Sequence, residues 1–224
     1  MKEDPLAAVC PAALAGAGDF GNRVVSLLAR APGRTSYPIA ELGSALAARP
    51  PVLVVALGQP APEVCEQADQ WAFTHGTCWL PVIMDHPHVR VGPLVAPGLG
   101  ACFGCFQERA AQHESDPKAA SALRAARGTG ETPAPRGYLG HHTRLAAAIA
   151  DLVLADSPER AAGLVATFHL LGTGVRRHRV TPFGGCPRCG TALPRPSHLS
   201  LADLIASRPA RRDLVGAAMA HGGE

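Results

Sequence analysis

Four of the seven cysteines stand in two Cys-x-x-Cys pairs, Cys102 with Cys105 and Cys186 with Cys189. Two thiolates three residues apart on a turn can bind one tetrahedral ion, and a second pair completes its shell without leaving a position for water. Because Cys105 and Cys186 lie 81 residues apart, such a site joins two distant segments and is structural rather than catalytic. The pattern predicts a zinc site with these four ligands.

Two other interpretations of these four cysteines stay open. Either pair could be a redox dithiol, or the four could be unrelated buried thiols. The turn residues Gly104 and Pro187 lie inside the pairs and favour the metal. A disulfide framework is disfavoured, because seven is an odd number of cysteines and the start of the chain lacks the features of a signal peptide. The remaining cysteines are expected to be core thiols, because they fall in or beside apolar segments: Cys10, Cys65 and Cys78.

Length and composition indicate one main domain. The chain has 224 residues, of which 47% are hydrophobic and 17% charged. Its net charge of +3 comes from scattered arginines, so no nucleic-acid partner is implied. No apolar run reaches the length that spans a bilayer, and a soluble, cytoplasmic protein is expected. Aromatic residues make up only 4%, and a core of small side chains favours pairing with another subunit.

The elements that would position the cysteines alternate between strand and helix. Strands are predicted for an apolar run at 7–15, for Pro51–Leu57, Thr77–Met84 and Arg90–Val95, and for a hairpin of Gly163–Leu171 with Val175–Val180. Helices are predicted for Asn22–Ala31, Glu41–Ala48, Pro62–His75 and Tyr138–Asp156. The alternation predicts an α/β fold with a Rossmann-like, mostly parallel sheet.

Two segments do not follow this alternation. Residues 113–137 contain charged and small residues with three prolines, which is typical of a mobile loop. Residues 198–224 carry spaced apolar side chains and are predicted to be a helical tail that docks on a partner. The predicted domain therefore covers residues 1–197.

A glycine turn, Gly16-x-Gly18-x-x-Gly21, follows the first predicted strand. This is the dinucleotide fingerprint, in which backbone amides at a helix start can hold phosphates. Nucleotide binding also needs an acidic residue about 20 positions later to hold the ribose, and no carboxylate occurs there before Glu41. Asp19 adds negative charge inside the turn. The glycines are therefore interpreted as a vestigial cofactor site that serves packing, and ATP is not expected.

Taken together, the motifs resemble the ThiF/E1-like superfamily over residues 8–190, and more narrowly the E1-like (Ocin-ThiF-like) subunits of cyclodehydratases that make thiazole/oxazole-modified peptides such as microcins. The motifs that carry the resemblance are the glycine turn, the strand Pro51–Leu57, Trp79–Val82, the run Val91–Gly98 leading into Cys102-x-x-Cys105, and Val180-Thr181-Pro182 before Cys186-x-x-Cys189. The resemblance implies a sheet of ThiF/E1 type with a zinc site of four cysteines.

The chain departs from the adenylating members of that superfamily. Those members carry an acidic residue after the second strand and an Asp after the strand that corresponds to Pro51–Leu57, and together these bind ATP and magnesium. Here the second loop reads Leu57-Gly58-Gln59-Pro60-Ala61-Pro62, and its first carboxylate, Glu63, falls in the first turn of the next helix, where it complements the helix dipole. No catalytic residue is assigned.

The resemblance implies a non-adenylating partner or scaffold in azoline-forming modification of a ribosomally synthesised peptide. It would act with a YcaO-type cyclodehydratase, with the precursor peptide, or with both, and it would form a homodimer or a heteromer. The alternative is a ThiF-type adenylating enzyme that activates the C-terminus of a peptide or carrier protein. A zinc-ribbon nucleic-acid module is disfavoured by the wide spacing of the cysteine pairs and the low charge.

Three further clusters have a minority interpretation as functional sites. Asp85-His86-Pro87-His88 and Leu139-Gly140-His141-His142 could bind metal or act as acid and base, but histidines in turns and at helix starts are usually solvated. The run Arg176-Arg177-His178-Arg179 is interpreted as an exposed strand, with docking of an acidic peptide as the minority interpretation.

Overall fold

The strand at the centre of the molecule is apolar at every position. Val52–Leu57 is buried throughout its length, which requires that helices cover both faces of the sheet around it. The computed structural model describes residues 10–113 and 137–189, together with residues 116, 118, 119 and 122. All of them belong to one compact unit, residues 1–193.

Seven strands and six helices make up the described part of the chain. The strands are β1 (Ala12–Ala17), β2 (Arg34–Pro38), β3 (Val52–Leu57), β4 (Cys78–Asp85), β5 (His88–Val91), β6 (Leu164–His169) and β7 (Val175–Arg179). The helices are α1 (Gly18–Leu28), α2 (Leu42–Ala47), which follows a 3-10 turn at Ile39–Glu41, α3 (Pro62–His75), α4 (Phe103–Gln112), α5 (Gly140–Leu154) and α6 (Pro158–Ala161).

All seven strands form one sheet in the order β2-β1-β3-β4-β5-β6-β7. The first four strands are parallel to one another, as crossover helices require. The direction reverses at the tight β4–β5 connection, and β5, β6 and β7 are each antiparallel to the strand before. The predicted α/β fold is confirmed, with the parallel pairing confined to β1–β4.

Two apolar cores lie on opposite faces of the sheet, because alternate side chains of each strand point to opposite sides. One core joins Leu14, Val54 and Leu80 to α1 and α5. The other joins Val55, Trp79 and residues of α2, α3 and the start of α4. This second core is the one that supports the first cysteine pair.

Most predicted elements occur close to their predicted positions, and α3 has the predicted bounds, Pro62–His75. Helix α1 begins at Gly18, before the predicted Asn22, because Gly18 takes a left-handed φ of +71° that turns the chain directly from β1 into the helix. The strand predicted for Arg90–Val95 ends at Val91. Gly92 has a φ of +99° and Pro93 has no N–H, so the ladder cannot continue.

The predicted tail, residues 198–224, lies outside the described residues, and so does nearly all of the loop predicted at 113–137. Among the helices of the described residues, none is both long and apolar enough to cross a membrane.

Candidate metal centre and glycine-turn crevice

The four cysteines of the two Cys-x-x-Cys pairs come together in the folded chain. The distances between their Sγ atoms are 3.8 Å from Cys102 to Cys105, 3.5 Å from Cys102 to Cys186 and 3.2 Å from Cys105 to Cys189. All four Sγ atoms lie within 4.8 Å of one another, and all four residues are buried. Tetrahedral thiolates bound to zinc at about 2.3 Å are separated by roughly 3.8 Å. The cluster therefore can hold a metal ion.

The first pair is positioned by the start of α4. Cys102 stands at the N-cap position and Cys105 lies in the first turn, where the positive end of the helix dipole favours a thiolate. Between them, Phe103 packs on Trp79 with ring centroids 5.2 Å apart. This aromatic contact anchors the pair to the core of the sheet.

The second pair follows β7 and is held by contacts with α4. The backbone N–H of Phe183 donates to Cys105 Sγ at 3.2 Å, and Arg109 Nη2 donates to the carbonyl oxygen of Pro182 at 3.3 Å. The N–H of Phe183 orients the sulfur of Cys105 and offsets part of its charge, and Arg109 holds the segment that leads to Cys186.

Burial and backbone hydrogen bonds set the ionisation of the four thiols. Burial raises the pKa of Cys102 and raises that of Cys189 to about 11. At Cys186 burial opposes ionisation, but the backbone N–H groups of Cys189 and Arg188 and a hydrogen bond with Cys102 outweigh it and lower the pKa to about 6. Four buried thiolates at this spacing repel one another, and a bound cation would relieve that repulsion.

A buried carboxylate connects the cluster to the core. Asp69 of α3 is fully buried, and its Oδ1 accepts hydrogen bonds from Trp79 Nε1 at 2.9 Å and from the N–H of Phe103 at 3.4 Å. Its Oδ2 forms an ion pair with Arg188, which lies inside the second cysteine pair and also contacts Glu66 at 2.8 Å. Burial raises the pKa of Asp69, although its hydrogen bonds and Arg188 act in the opposite direction.

Asp69 was not among the residues singled out from the sequence, although a signal for it exists. The buried residues of α3 are Cys65, Ala68, Asp69 and Ala72. Their spacing is that of one helix face, so the helical pattern alone places a carboxylate on the apolar side. A carboxylate in that position needs partners, and Arg188 and Trp79 supply them.

A second group outside the predicted site fixes α4 against β5. The guanidinium of Arg90 lies 4.3 Å from the ring centroid of Phe106, and its Nη1 donates to the carbonyl oxygen of Gly92 at 2.6 Å. Burial lowers the pKa of Arg90 to about 10. This cation–π contact holds the helix that carries Cys102 and Cys105.

The glycine turn lies where the carboxyl ends of β1 and β3 meet. A crevice of about 360 Å³ opens there, at the edge of a parallel sheet where α/β proteins bind ligands. Gly21 allows α1 to approach β3, since a Cβ at this position would lie 2.2 Å from the carbonyl oxygen of Ala56. At Gly16 a Cβ would lie 2.9 Å from Val25. The turn and the close helix packing account for these glycines.

The lining of the crevice is mostly apolar. Its large apolar side chains are Phe20, Ile39, Leu57, Val64, Met84 and Tyr138. Asp19 is the only charged side chain among the described residues that line it, and Gln59 occupies the loop after β3. Among the described lining residues, none that follows β2 or β3 has a carboxylate, although a ribose and a magnesium ion would require one there.

The histidines of the two predicted clusters make contacts that belong to the fold. Asp85–His88 spans the turn between β4 and β5, where the ring of His88 meets that of the cross-strand residue His169 at 4.9 Å. His142 is buried rather than solvated: its Nδ1 accepts from the N–H of Leu139 at 3.0 Å, so its Nε2 donates to the carbonyl oxygen of Leu170 at 2.9 Å. In the described part of the chain, neither cluster joins a group of three potential metal ligands.

The remaining candidate residues are the basic run and the three cysteines outside the cluster. Arg176–Arg179 lie on β7, which is exposed along its whole length, as predicted. Cys65 is buried in the core, whereas Cys10 and Cys78 are half-buried and pack at the edge of the other core.

No family model matches the chain, and neither does any curated protein. Solved structures do share its fold. Superposition on the heterocyclase TruD gives a TM-score of 0.59 at 21% identity, over 80% of this chain and 27% of that one. A heterocyclase in complex with substrate and cofactor gives a TM-score of 0.58 at 19% identity, over 83% of this chain and 25% of that one. MccB of E. coli with ATP gives a TM-score of 0.55 at 11% identity, over 81% of this chain and 67% of that one.

At these identities the similarity establishes the fold. The chain spans about a quarter of the length of the two heterocyclases.

Proposed function

We propose that this chain is a non-adenylating E1-like partner or scaffold in the azoline-forming modification of a ribosomally synthesised peptide, acting with a YcaO-type cyclodehydratase. The observation that carries the proposal is the crevice at the glycine turn, where a strand passes through glycines into a helix. Its lining is mostly apolar, and among its described lining residues the only carboxylate, Asp19, lies in the turn and not after β2 or β3, where ribose and magnesium would need one. The fold shared with the heterocyclase TruD supports the same role.

We infer that the cysteine cluster binds a structural zinc ion through Cys102, Cys105, Cys186 and Cys189. Soft sulfur ligands in a closed tetrahedral arrangement are typical of zinc. Four protein ligands leave no position for a reacting water, so the ion would stabilise the fold and would not take part in catalysis. It would fix the segment after β7 to the start of α4.

The proposal predicts two results for the purified chain. In isothermal titration calorimetry, the chain alone gives no saturable heat with ATP and magnesium, and it does not exchange pyrophosphate into ATP. Added to a YcaO-type cyclodehydratase and its precursor peptide from the same host, the chain increases azoline formation, measured by mass spectrometry as loss of one water per ring. No effect on that reaction would contradict the proposed role.

The alternative function is a ThiF-type adenylating enzyme that activates the C-terminus of a peptide or carrier protein. The start of α1 favours it, because the residues from Gly18 to Phe20 line the crevice and a helix N-terminus attracts phosphates. The structure of MccB with ATP has the same fold. Saturable ATP binding together with pyrophosphate exchange would support this alternative and exclude the first.

We also propose that the chain works as a homodimer or a stable heteromer, with residues 198–224 contributing to the contact. The support is the sequence of this segment, which carries apolar residues at Leu201, Leu204 and Ile205. A specific interface buries on the order of 1,000 Å² or more. Deleting residues 198–224 should reduce the mass seen by light scattering while leaving the metal content unchanged. A full-length chain that is already monomeric, with the cyclodehydratase present, would contradict this.

A further inference from the structure

Strand β7 forms one end of the sheet. The strand order ends there, and all five residues of Val175–Arg179 are exposed. Within the described part of the chain, β6 pairs with one edge of β7 and the other edge has no partner strand. An unpaired edge of this kind is a template for the addition of another strand.

The backbone groups on that free edge can be identified from the pairing of β6. The carbonyl oxygen of Leu164 accepts from the N–H of Leu94, and the N–H of Leu170 donates to the carbonyl oxygen of Pro87. The backbone N–H and C=O groups of even-numbered β6 residues therefore face β5, and those of odd-numbered β6 residues face β7.

In the register of β6 with β7, the odd-numbered residues Val165 and Thr167 pair with His178 and Arg176. The backbone N–H and C=O groups of Arg176 and His178 thus form hydrogen bonds with β6. The N–H and C=O groups of Val175, Arg177 and Arg179 point outward, which gives three donors and three acceptors along the free edge.

The side chains of β7 are strongly basic. Arg176 and His178 lie on one face of the sheet and Arg177 on the other, since successive residues alternate. Among the described residues, neither Arg176 nor Arg177 makes an ion pair. The guanidinium of Arg179 differs, because it donates to the carbonyl oxygens of Ala162 and Arg160.

We propose that the outer edge of β7 binds an extended peptide rich in Asp and Glu, which adds to the sheet as an eighth strand. The outward backbone groups of Val175, Arg177 and Arg179 supply the hydrogen bonds. Arg176 and His178 select carboxylates on one face of the added strand, and Arg177 selects carboxylates on the other face. The binding surface is independent of the role proposed above, because it requires neither ATP nor a cyclodehydratase.

A second copy of this chain does not fit the edge. Two β7 strands paired with each other would bring their arginines side by side, and like charges facing one another across strands are destabilising. Basic side chains on edge strands commonly prevent such pairing. An acidic peptide experiences the opposite effect, because the charges that repel another β7 attract it. The free backbone groups favour a peptide over a nucleic acid, which has no matching ladder of amides.

Binding is measured by fluorescence anisotropy with the metal-loaded full-length chain and a short, capped, fluorescein-labelled peptide of repeating Glu-Glu-Val, which places Glu on both faces of a strand. We expect saturable binding that weakens as salt is added, because exposed charges are screened. Two peptides serve as controls: one with Lys in place of Glu, and one with the same Glu residues but N-methylated at alternate amides. The second keeps the charge and removes the hydrogen bonds, and neither should bind.

The paired variant Arg176→Glu/Arg177→Glu should weaken binding by about tenfold or more, since two exposed charge contacts are lost and replaced by repulsion. The matched variant Arg23→Glu/Arg30→Glu changes the net charge equally at exposed positions on and just after α1. It should bind as the unchanged chain does. Near-ultraviolet circular dichroism establishes that both variants are folded.

Hydrogen exchange followed by NMR tests the geometry directly. Peptide binding should slow exchange of the amides of Val175, Arg177 and Arg179 while changing those of residues 176 and 178 little. Equal binding of the N-methylated peptide, an unchanged exchange pattern, or equal loss in both arginine variants would overturn the proposal. So would tighter binding of a single-stranded oligonucleotide than of the acidic peptide at the same salt concentration.

Discussion

Arg188, inside the second cysteine pair, forms an ion pair with Asp69, a fully buried carboxylate in the middle of α3. The same carboxylate accepts hydrogen bonds from the indole of Trp79 and from the first backbone N–H of α4. One side chain therefore links the core of the sheet to both cysteine pairs. The energetics of the metal centre and of the core are coupled through it.

The first prediction concerns this ion pair. Arg188→Ala should lower the free energy of unfolding by about 2 to 3 kcal/mol, because it leaves Asp69 buried without its cationic partner. Glu66→Gln should cost about 1 kcal/mol or less, since the Glu66 side chain is half exposed and its ion pair is solvated. Urea unfolding of the metal-loaded protein measures both.

A double variant separates the ion pair from other effects of the substitution. Arg188→Ala/Asp69→Asn should lose less than the sum of the two single changes, because the second removes the charge that the first leaves unpaired. Strict additivity, or equal losses for Arg188→Ala and Glu66→Gln, would show that Asp69 is not stabilised by Arg188.

A second prediction concerns the metal. Cys102→Ser and Cys186→Ser should each reduce the bound zinc, measured by elemental analysis, and lower the melting temperature, because metal binding energy contributes to folding. Cys78→Ser is the matched control: this thiol is half-buried and lies outside the cluster. It should retain the full metal content. Well-folded unaltered protein that carries no zinc would refute the assignment.

The elements that support the cysteines could be predicted because their signals are local. The apolar run of β3, and the proline that starts α3, are readable in a few residues. The meeting of Cys102 with Cys186 could also be predicted, since paired i,i+3 cysteines on two turns imply a shared ion.

Other features depend on contacts between distant segments, which no local pattern specifies. The partner of Asp69 lies 119 residues away, and His142 is buried because its ring reaches Leu170 on another segment. Adjacent histidines at a helix start are usually solvated, so the local pattern suggested exposure. The end of β5 differs in kind, because Gly92-Pro93 is a local turn signal that already marks the break.

The third prediction is a pH dependence that arises from His142. Burial, with a smaller contribution from His141, lowers the pKa of His142 in the folded chain below its ordinary value of about 6.5. The unfolded chain then takes up this proton at a higher pH than the folded chain does. The contribution of neutral His142 to the free energy of unfolding is therefore complete above about pH 6.5 and is lost as the pH falls below that value.

His142→Asn should therefore reduce the loss of stability on acidification from neutral pH to about pH 5. It should also cost about 1 kcal/mol at neutral pH, since the hydrogen bond to Leu170 is lost. Urea midpoints across this pH range measure the effect. His178→Asn, on the exposed strand β7, controls for removal of a histidine. Parallel pH profiles for His142→Asn and the unaltered chain would contradict the prediction.

The last prediction separates packing from ligand binding at the glycine turn. Gly21→Ala places a Cβ 2.2 Å from the carbonyl oxygen of Ala56, a backbone atom of β3 that cannot move aside without displacing the strand. We expect a loss of about 3 kcal/mol, the upper end of the range for overpacking. Gly58 lines the crevice beside the turn, but a Cβ added there would meet its nearest neighbours at 3.5 Å, an ordinary contact distance. Gly58→Ala should change stability by less than about 1 kcal/mol. Because only Gly21→Ala forces α1 away from β3, urea unfolding without any nucleotide should separate the two variants. Equal stability of the two variants would mean that Gly21 is not required for helix packing, and the fingerprint would then need an explanation in a bound ligand.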